Sequence, residues 1–170
     1  MNKDVMVSIV MGSKSDAETM KEAATVLRHF GVPCEMRVIS AHRTPLMAHA
    51  FGRDLEGRGV RLVIAGAGKA AHLAGVVASL TTVPVIGVPM KTSDLGGLDS
   101  LLSTVQMPGG IPVATTAIGK AGAQNAGLLA VSILALTDER LTSELKTYRE
   151  EMRRQVEQAG LDVQGMIDEA

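Results

Sequence analysis

The sequence predicts an α/β fold in which a doubly wound parallel sheet is covered by helices on both faces. Short runs rich in Val, Ile and Leu alternate along the chain with longer runs whose apolar residues recur at helical spacing. That alternation is typical of strand–helix–strand units, whose connections are right-handed. Residues 61–65 are apolar at nearly every position, as expected for a strand that is buried on both faces.

Five short apolar runs predict the strands. Gly12 follows the first run, and Pro84 and Pro89 frame the fourth, which indicates where these strands begin and end. The strands are expected at residues 5–11, 34–39, 61–65, 83–88 and 112–116.

Six other segments predict helices. In the first, Met20, Ala23 and Leu27 recur at helical spacing and Gly31 marks the end. Pro45 suits the first turn of the second helix, because its fixed φ is already helical. The helices are expected at residues 16–30, 45–58, 70–80, 95–105, 121–136 and 138–158.

The last two predicted helices differ in their apolar surfaces. Residues 121–136 are apolar on nearly every side, so this helix must be covered on more than one side, and another subunit can supply the cover. Residues 138–158 carry one apolar stripe among charged residues, and pack either on their own domain or as an arm on another subunit. We expect a single catalytic domain over residues 1–170, with its core at about 5–136.

Composition argues against several classes of protein. With 46% hydrophobic and 21% charged residues, the chain is typical of a globular domain. With 2% aromatic residues and a net charge of −1, it lacks the stacking rings and basic surface of a nucleic-acid-binding protein. The single cysteine, Cys34, and four histidines without metal-ligand spacing argue against a metal site. No apolar run reaches the ~18 residues of a membrane span and the N-terminus has no signal-peptide pattern, so we expect a cytoplasmic protein.

The strongest functional signal follows the second predicted strand. Residues 39–45 (ISAHRTP) place Ser40, His42 and Arg43 just beyond its carboxyl end, where ligands bind in open parallel sheets. A histidine there can carry a proton near neutral pH, and an arginine can hold a phosphate with its planar set of donors. The alternative is a turn with a surface histidine.

The loop after the first predicted strand has the chemistry of an anion site. Residues 12–16 (GSKSD) open the first helix, where backbone N–H groups favour an anion and Ser13 adds a hydroxyl donor. The Asp16 carboxylate suits hydrogen bonds from sugar hydroxyls. Capping of the helix by Ser15 or Asp16 is the alternative explanation of these residues.

A glycine-rich loop follows the third predicted strand. Residues 66–72 (GAGKAAH) suit a backbone that closes over a small ligand, and His72 is either a ligand contact or a residue at the start of a helix. The segment formally fits G-x-G-x-x-A, but the acidic residue that dinucleotide binding requires about 20 residues later is missing. Residues 90–97 and 107–110 either complete the rim of a pocket or form ordinary turns.

These loops belong to a longer series of ordered motifs. The series resembles that of bacterial-type N5-carboxyaminoimidazole ribonucleotide mutases, a family of de novo purine synthesis, over about residues 5–136 without a gap and more loosely in the final helix. The motifs are residues 11–16 (MGSKSD), 40–45 (SAHRTP), 65–68 (AGAG), 70–73 (AAHL), 85–89 (VIGVP), 99–103 (DSLLS), 105–108 (VQMP), 110–113 (GIPV), 117–122 (AIGKAG) and 125–126 (NA).

The resemblance implies a three-layer αβα sandwich of the Rossmann or flavodoxin-like kind, assembled as a homo-octamer with active sites at subunit junctions. It implies a nucleotide-binding isomerase, with no metal, nucleotide or organic cofactor, that moves a carboxyl group from the exocyclic nitrogen of an aminoimidazole ribonucleotide to ring carbon C4. It implies His42 as the general acid and base. The implied substrate contacts are Ser13 and Arg43 to the 5′-phosphate, Asp16 to the ribose, Ser15 and Ser40 along the pocket, and Gly68, Ala70, Ala71 and His72 over the base and the migrating carboxyl group.

Two residues of the glycine-rich loop depart from the family, which usually has glycine where Lys69 stands and proline where Ala74 stands. A glycine there suits a positive φ, which lysine adopts poorly. We expect Lys69 to lie exposed at the pocket mouth, because no acidic residue within the loop could pair with a buried lysine; contact with the substrate carboxylate is the alternative. The alternatives to a mutase are a carboxylase of the same nucleotide that uses free CO₂, a nucleotide-binding regulator without catalysis, and an NAD-dependent enzyme.

Overall fold

The computed structural model describes residues 5–168 and contains a five-stranded parallel sheet. Its strands run in the order β2-β1-β3-β4-β5, and every neighbouring pair is parallel. The chain leaves β1 toward one edge and then returns to build the other, so β1 and β3 flank the point where the strand order reverses. The strands are β1 (Val7–Met11), β2 (Cys34–Val38), β3 (Leu62–Ala67), β4 (Val85–Pro89) and β5 (Ala114–Thr115).

Helices cover both faces of this sheet, which confirms the predicted fold class. One core cluster joins Val10 and Val63 of the sheet to α2 and α3, while Gly66, whose direction alternates with that of the cluster's Ala65, lies against Met20 of α1 on the other face. The helices are α1 (Ala17–His29), α2 (Pro45–Asp54), α3 (Leu73–Ala78), α4 (Leu98–Val105), α5 (Lys120–Leu134) and α6 (Glu139–Asp168), with 3₁₀ turns at Lys14–Asp16 and Ala135–Thr137.

Some predicted boundaries were wrong, each for a local reason. Helix α3 begins at Leu73 rather than at residue 70, because Lys69 has a left-handed backbone, with φ of 57°. Strand β5 is only Ala114–Thr115. Helix α6 extends ten residues past the predicted end at residue 158, to Asp168. No proline interrupts this segment, and ion pairs such as Arg140–Glu144 support helical turns along its surface.

The sheet register brings four strand ends to one edge. Met11 at the end of β1 pairs with Val38 of β2 and with Gly66 of β3, and Gly66 pairs in turn with Val88 of β4. The loops that follow these strands therefore begin side by side. This edge is where the sequence predicts ligand binding.

The chain divides after Ala130 into two compact units. In the second unit, Asp138 caps α6 by accepting a hydrogen bond from the Leu141 amide at 3.1 Å. Leu141 is buried, whereas Val156 on the same predicted stripe is 73% exposed. The single catalytic domain and the intersubunit role of the last helix stay predictions. Within residues 5–168, none of the helices combines the length and the apolar character that spanning a membrane requires.

Candidate active site

A cavity of about 540 Å³ lies at the carboxyl ends of β1 to β4. It brings together nearly all the predicted site residues, although they come from three separate loops. Ala71 is the exception, because its side chain is buried and does not line the cavity. The predicted residues that do line it are Ser13, Ser15, Asp16, Ser40, His42, Arg43, Gly68, Ala70 and His72.

The loop after β1 is shaped by Ser13. The Ser13 hydroxyl oxygen accepts a hydrogen bond from the Ser15 amide at 3.3 Å and so caps the 3₁₀ turn that precedes α1. The alternative explanation, helix capping by Ser15 or Asp16, holds only for position: Asp16 occupies the N-cap of α1 but makes no side-chain cap bond, and the Ser15 hydroxyl donates to Asp16 Oδ1 at 3.3 Å.

Asp16 is held in a partly buried place without a strong partner. Burial raises the pKa of its carboxyl above the ordinary value, and the Ser15 hydroxyl and the charge of Arg43 offset only part of that effect. A hydroxyl donor that enters the cavity would stabilise the charged form of this carboxylate by a hydrogen bond. The arrangement suits a ligand that carries sugar hydroxyls.

Arg43 ties the loop after β2 to the loop after β1. Its Nη2 donates to the Gly12 carbonyl at 2.8 Å, and its backbone amide donates to the Ser40 hydroxyl at 3.1 Å. Thr44 closes the same turn, since its hydroxyl donates to the Ser40 carbonyl at 2.9 Å. A guanidinium has five N–H donors, so an arginine fixed in this way keeps further donors for an anion.

The loops after β2 and β3 meet through their histidines. His42 Nε2 and His72 Nδ1 lie 2.8 Å apart, and the two rings are nearly perpendicular. One of these nitrogens donates a hydrogen bond and the other accepts it, so the contact holds the two rings together and links their tautomers. Sequence reasoning found both residues but not their contact, because nothing in the spacing of positions 42 and 72 reports on distance.

Lys69 lies at the mouth of the cavity, and the predicted exposure is confirmed, since its side chain is 72% exposed. The reasoning behind that prediction was incomplete. A carboxylate does pair with Lys69, but it belongs to Asp94 in the loop after β4, with Nζ 2.8 Å from Oδ2. The loop after β4 also lines the cavity at Met90, Lys91, Thr92 and Ser93, as the predicted rim at residues 90–97 requires.

No group of three or more His, Cys, Asp or Glu side chains suited to a metal ion occurs between residues 5 and 168. The cavity wall carries a hydrogen-bonded histidine pair, an arginine, a partly buried carboxylate and several hydroxyls. These groups can hold an anion and a sugar and can move a proton.

Comparison with known proteins shows that all residues lining this cavity lie within the part of the chain that matches a known family. The sequence profile of the AIR carboxylase family matches residues 6–155. The N5-carboxyaminoimidazole ribonucleotide mutase of Pyrococcus abyssi is 59% identical over 87% of this chain and 84% of its own length. The enzyme of the same name from Bacillus subtilis is 55% identical over 89% of this chain and 93% of its own length.

Solved structures agree with these sequence matches. The crystal structure of Treponema denticola PurE superimposes with a TM-score of 0.81 at 29% identity, and the alignment covers 89% of this chain and 94% of that one.

Proposed function

This chain belongs to the AIR carboxylase family, and we propose that it catalyses the N5-carboxyaminoimidazole ribonucleotide mutase reaction of purine synthesis. In that reaction a carboxyl group moves from the exocyclic nitrogen of the nucleotide to ring carbon C4. The observation that carries the proposal is the His42–His72 pair beside Arg43 in one cavity, in a chain more than half identical to proteins named for this activity.

The cavity provides a partner for each part of such a substrate. Arg43 and the Ser13 hydroxyl would bind the 5′-phosphate, since both lie at the end of the sheet beside the start of α1. Asp16 would accept hydrogen bonds from the ribose hydroxyls. Ser15 and Ser40 would line the nucleotide, and the loop at residues 68–72 would cover the base and the carboxyl group.

His42 would carry the proton in both halves of the reaction. In the first half the carbamate C–N bond breaks, CO₂ leaves, and the exocyclic nitrogen takes a proton from His42. In the second half C4 attacks the trapped CO₂, and His42 removes the C4 proton, which restores the aromatic ring. One proton is given and one is taken, so the histidine pair ends as it began. Holding CO₂ beside C4 makes its recapture effectively unimolecular.

An isotope experiment tests this function against its alternatives. The substrate is labelled with ¹³C in the migrating carboxyl group and supplied with a large excess of unlabelled bicarbonate and CO₂. A mutase gives a product that keeps the label, whereas a carboxylase that uses free CO₂, the activity in the family's name, gives an unlabelled product. Saturable nucleotide binding without any product identifies a binding protein and contradicts the proposal.

We also propose that the chain assembles as a homo-octamer. Helix α4 exposes Leu98, Leu102 and Val105, and the edge strand β2 exposes Met36 and Val38, so apolar surface is available for self-association. Sedimentation equilibrium at micromolar concentration checks the assembly. A monomer contradicts self-association, and a tetramer contradicts the stoichiometry alone. The cytoplasmic location stays a prediction.

A further inference from the structure

Lys69 has a backbone conformation that lysine rarely adopts. Among the described residues it alone combines a side chain with a positive φ, at 57°, while the other positive φ angles belong to glycines. The left-handed region is unfavourable for residues with a Cβ, so the surrounding contacts must hold it there. Lys69 lies two residues after the end of β3 and three residues before His72.

Two contacts join Lys69 to the neighbouring part of the sheet. Its Nζ lies 2.8 Å from Asp94 Oδ2, in the loop after β4, and its carbonyl accepts a hydrogen bond from the Ser103 hydroxyl of α4 at 3.1 Å. The Asp94 carboxylate raises the pKa of Lys69, and the ammonium group lowers the pKa of Asp94, so both groups are charged over the neutral range. The pair spans the cavity mouth from one loop to the next.

The loop that carries Asp94 is itself anchored. The Thr92 hydroxyl donates to Asp99 Oδ1 at 2.8 Å, and the Gly97 amide donates to the Thr92 hydroxyl at 3.1 Å. Asp94 therefore offers a defined position to the ammonium group. The salt bridge connects a strained loop to a fixed one.

The position of Lys69 determines where His72 lies. Between them the chain makes a tight turn, in which the His72 amide donates to the Ala70 carbonyl at 2.9 Å, and α3 begins at the next residue. There is little slack, so a change of backbone at Lys69 displaces the His72 ring. That ring contacts His42 at 2.8 Å.

We propose that Lys69 is a positioning residue, whose salt bridge to Asp94 fixes the loop at residues 68–72 and thereby places the His72 ring against His42. The inference rests on the proposed mutase function for its kinetic consequence but not for its structural one. Lys69 acts through Asp94 and the loop rather than through contact with the substrate.

A double-mutant cycle tests the pair with neutral side chains of similar shape. The variants are Lys69→Gln, Asp94→Asn and the double variant, with Lys69→Arg as the conservative replacement. Lys120→Gln is the matched control, because it removes an exposed lysine whose carboxylate partner, Glu22, is not at the cavity. Each variant is examined by steady-state kinetics and by ¹⁵N spectra of the histidine rings.

We expect each single variant to raise KM about two- to fivefold, the range of an exposed ion pair, and the double variant to match them rather than multiply the effects. The ring signals of His72 and His42 should shift in the same direction in all three. Lys69→Arg should restore both properties, and high salt should reduce the difference between wild type and Asp94→Asn. Lys120→Gln should change neither KM nor the histidine ring signals.

Two results would overturn the inference. If Asp94→Asn lowers KM while Lys69→Gln raises it, then Lys69 binds the substrate directly and Asp94 competes for it. If the histidine signals are unchanged in both single variants, the salt bridge positions nothing. The spectra need no turnover, so an inactive wild-type protein contradicts the proposed function while the ring signals still decide the role of Lys69.

Discussion

Replacing His42 tests the centre of the proposed mechanism, and two replacements separate its two roles. Asparagine ends near the position of Nδ1 and loses the contact with His72, whereas the glutamine amide extends to about the position of Nε2 and can keep that 2.8 Å contact. Neither side chain carries a proton near neutral pH. The two variants therefore differ by one hydrogen bond and share the loss of acid–base chemistry.

The expected magnitudes are well separated. A net hydrogen bond contributes about 0.5–1.5 kcal/mol, which is at most about tenfold in rate. General acid–base catalysis contributes about 10²–10⁴-fold, or about 2.7–5.4 kcal/mol. Both variants should lose at least ~10²-fold in kcat. The kcat of His42→Gln should exceed that of His42→Asn by no more than about tenfold, the contribution of one hydrogen bond.

The assay is steady-state kinetics from pH 5 to 9, with nucleotide affinity measured by calorimetry. Both variants should still bind nucleotide, and any limb of the kcat pH profile that reports on His42 in the wild type should be missing in both variants. His49→Gln is the control, because His49 is exposed on α2 and does not line the cavity. If His42→Gln turns over within tenfold of wild type, proton transfer by His42 is refuted and His72 becomes the candidate.

Four further changes have expected outcomes. Arg43→Lys keeps the charge but loses the planar donor set, so KM should rise about tenfold or more with little change in kcat; a collapse of kcat at unchanged KM contradicts a binding role. Glu35→Gln should lower the free energy of unfolding in urea by about 2 kcal/mol at pH 7, because Arg58 and Ser8 together hold the pKa of Glu35 below 4.5 despite its burial. The difference in stability between the variant and the wild type should shrink as the pH falls below 4.5. Asp16→Asn should raise the melting temperature at pH 7, because burial raises the pKa of Asp16 and so makes its charged form costly in the folded state. Below pH 3.8 the carboxyl is protonated in both states, and the substitution should no longer raise the melting temperature. The same variant should weaken nucleotide binding. Gly87→Ala should lower the free energy of unfolding by about 1–3 kcal/mol, since a Cβ there overlaps neighbouring side chains. Unchanged stability would show that these side chains can move aside without cost.

The sequence was sufficient for the fold because its signals are local. The apolar run of β3 and the helical spacing around Met20 and Leu27 follow from the periods of strands and helices, and both are buried as predicted. Boundaries were less predictable where tertiary contacts decide them. The start of α3 depends on the left-handed Lys69, which is held by side chains from elsewhere in the chain.

The site was predictable as a set of loops but not as a geometry. Ser13, His42 and His72 were found because each follows a strand in a parallel sheet, and the sheet brings those ends together. The contact of the two histidines and the pairing of Lys69 with Asp94 join positions 30 and 25 residues apart, respectively. Such contacts depend on the register and on loop conformation, which no periodic pattern encodes.

The close packing of the sheet against its helices accounts for how these loops come within reach of one another. At Gly66 a Cβ would overlap the Met20 sulfur of α1, and at Gly87 it would overlap Thr104 of α4, so both helices approach strands that a larger residue would hold away. Gly66 is paired with Met11 at the end of β1, so this approach occurs at the strand ends that carry the cavity. A residue that fills this space would displace the Met20 side chain of α1 close to the strand ends that carry the cavity. The glycines of the strands therefore contribute to the active site although they carry no chemistry of their own.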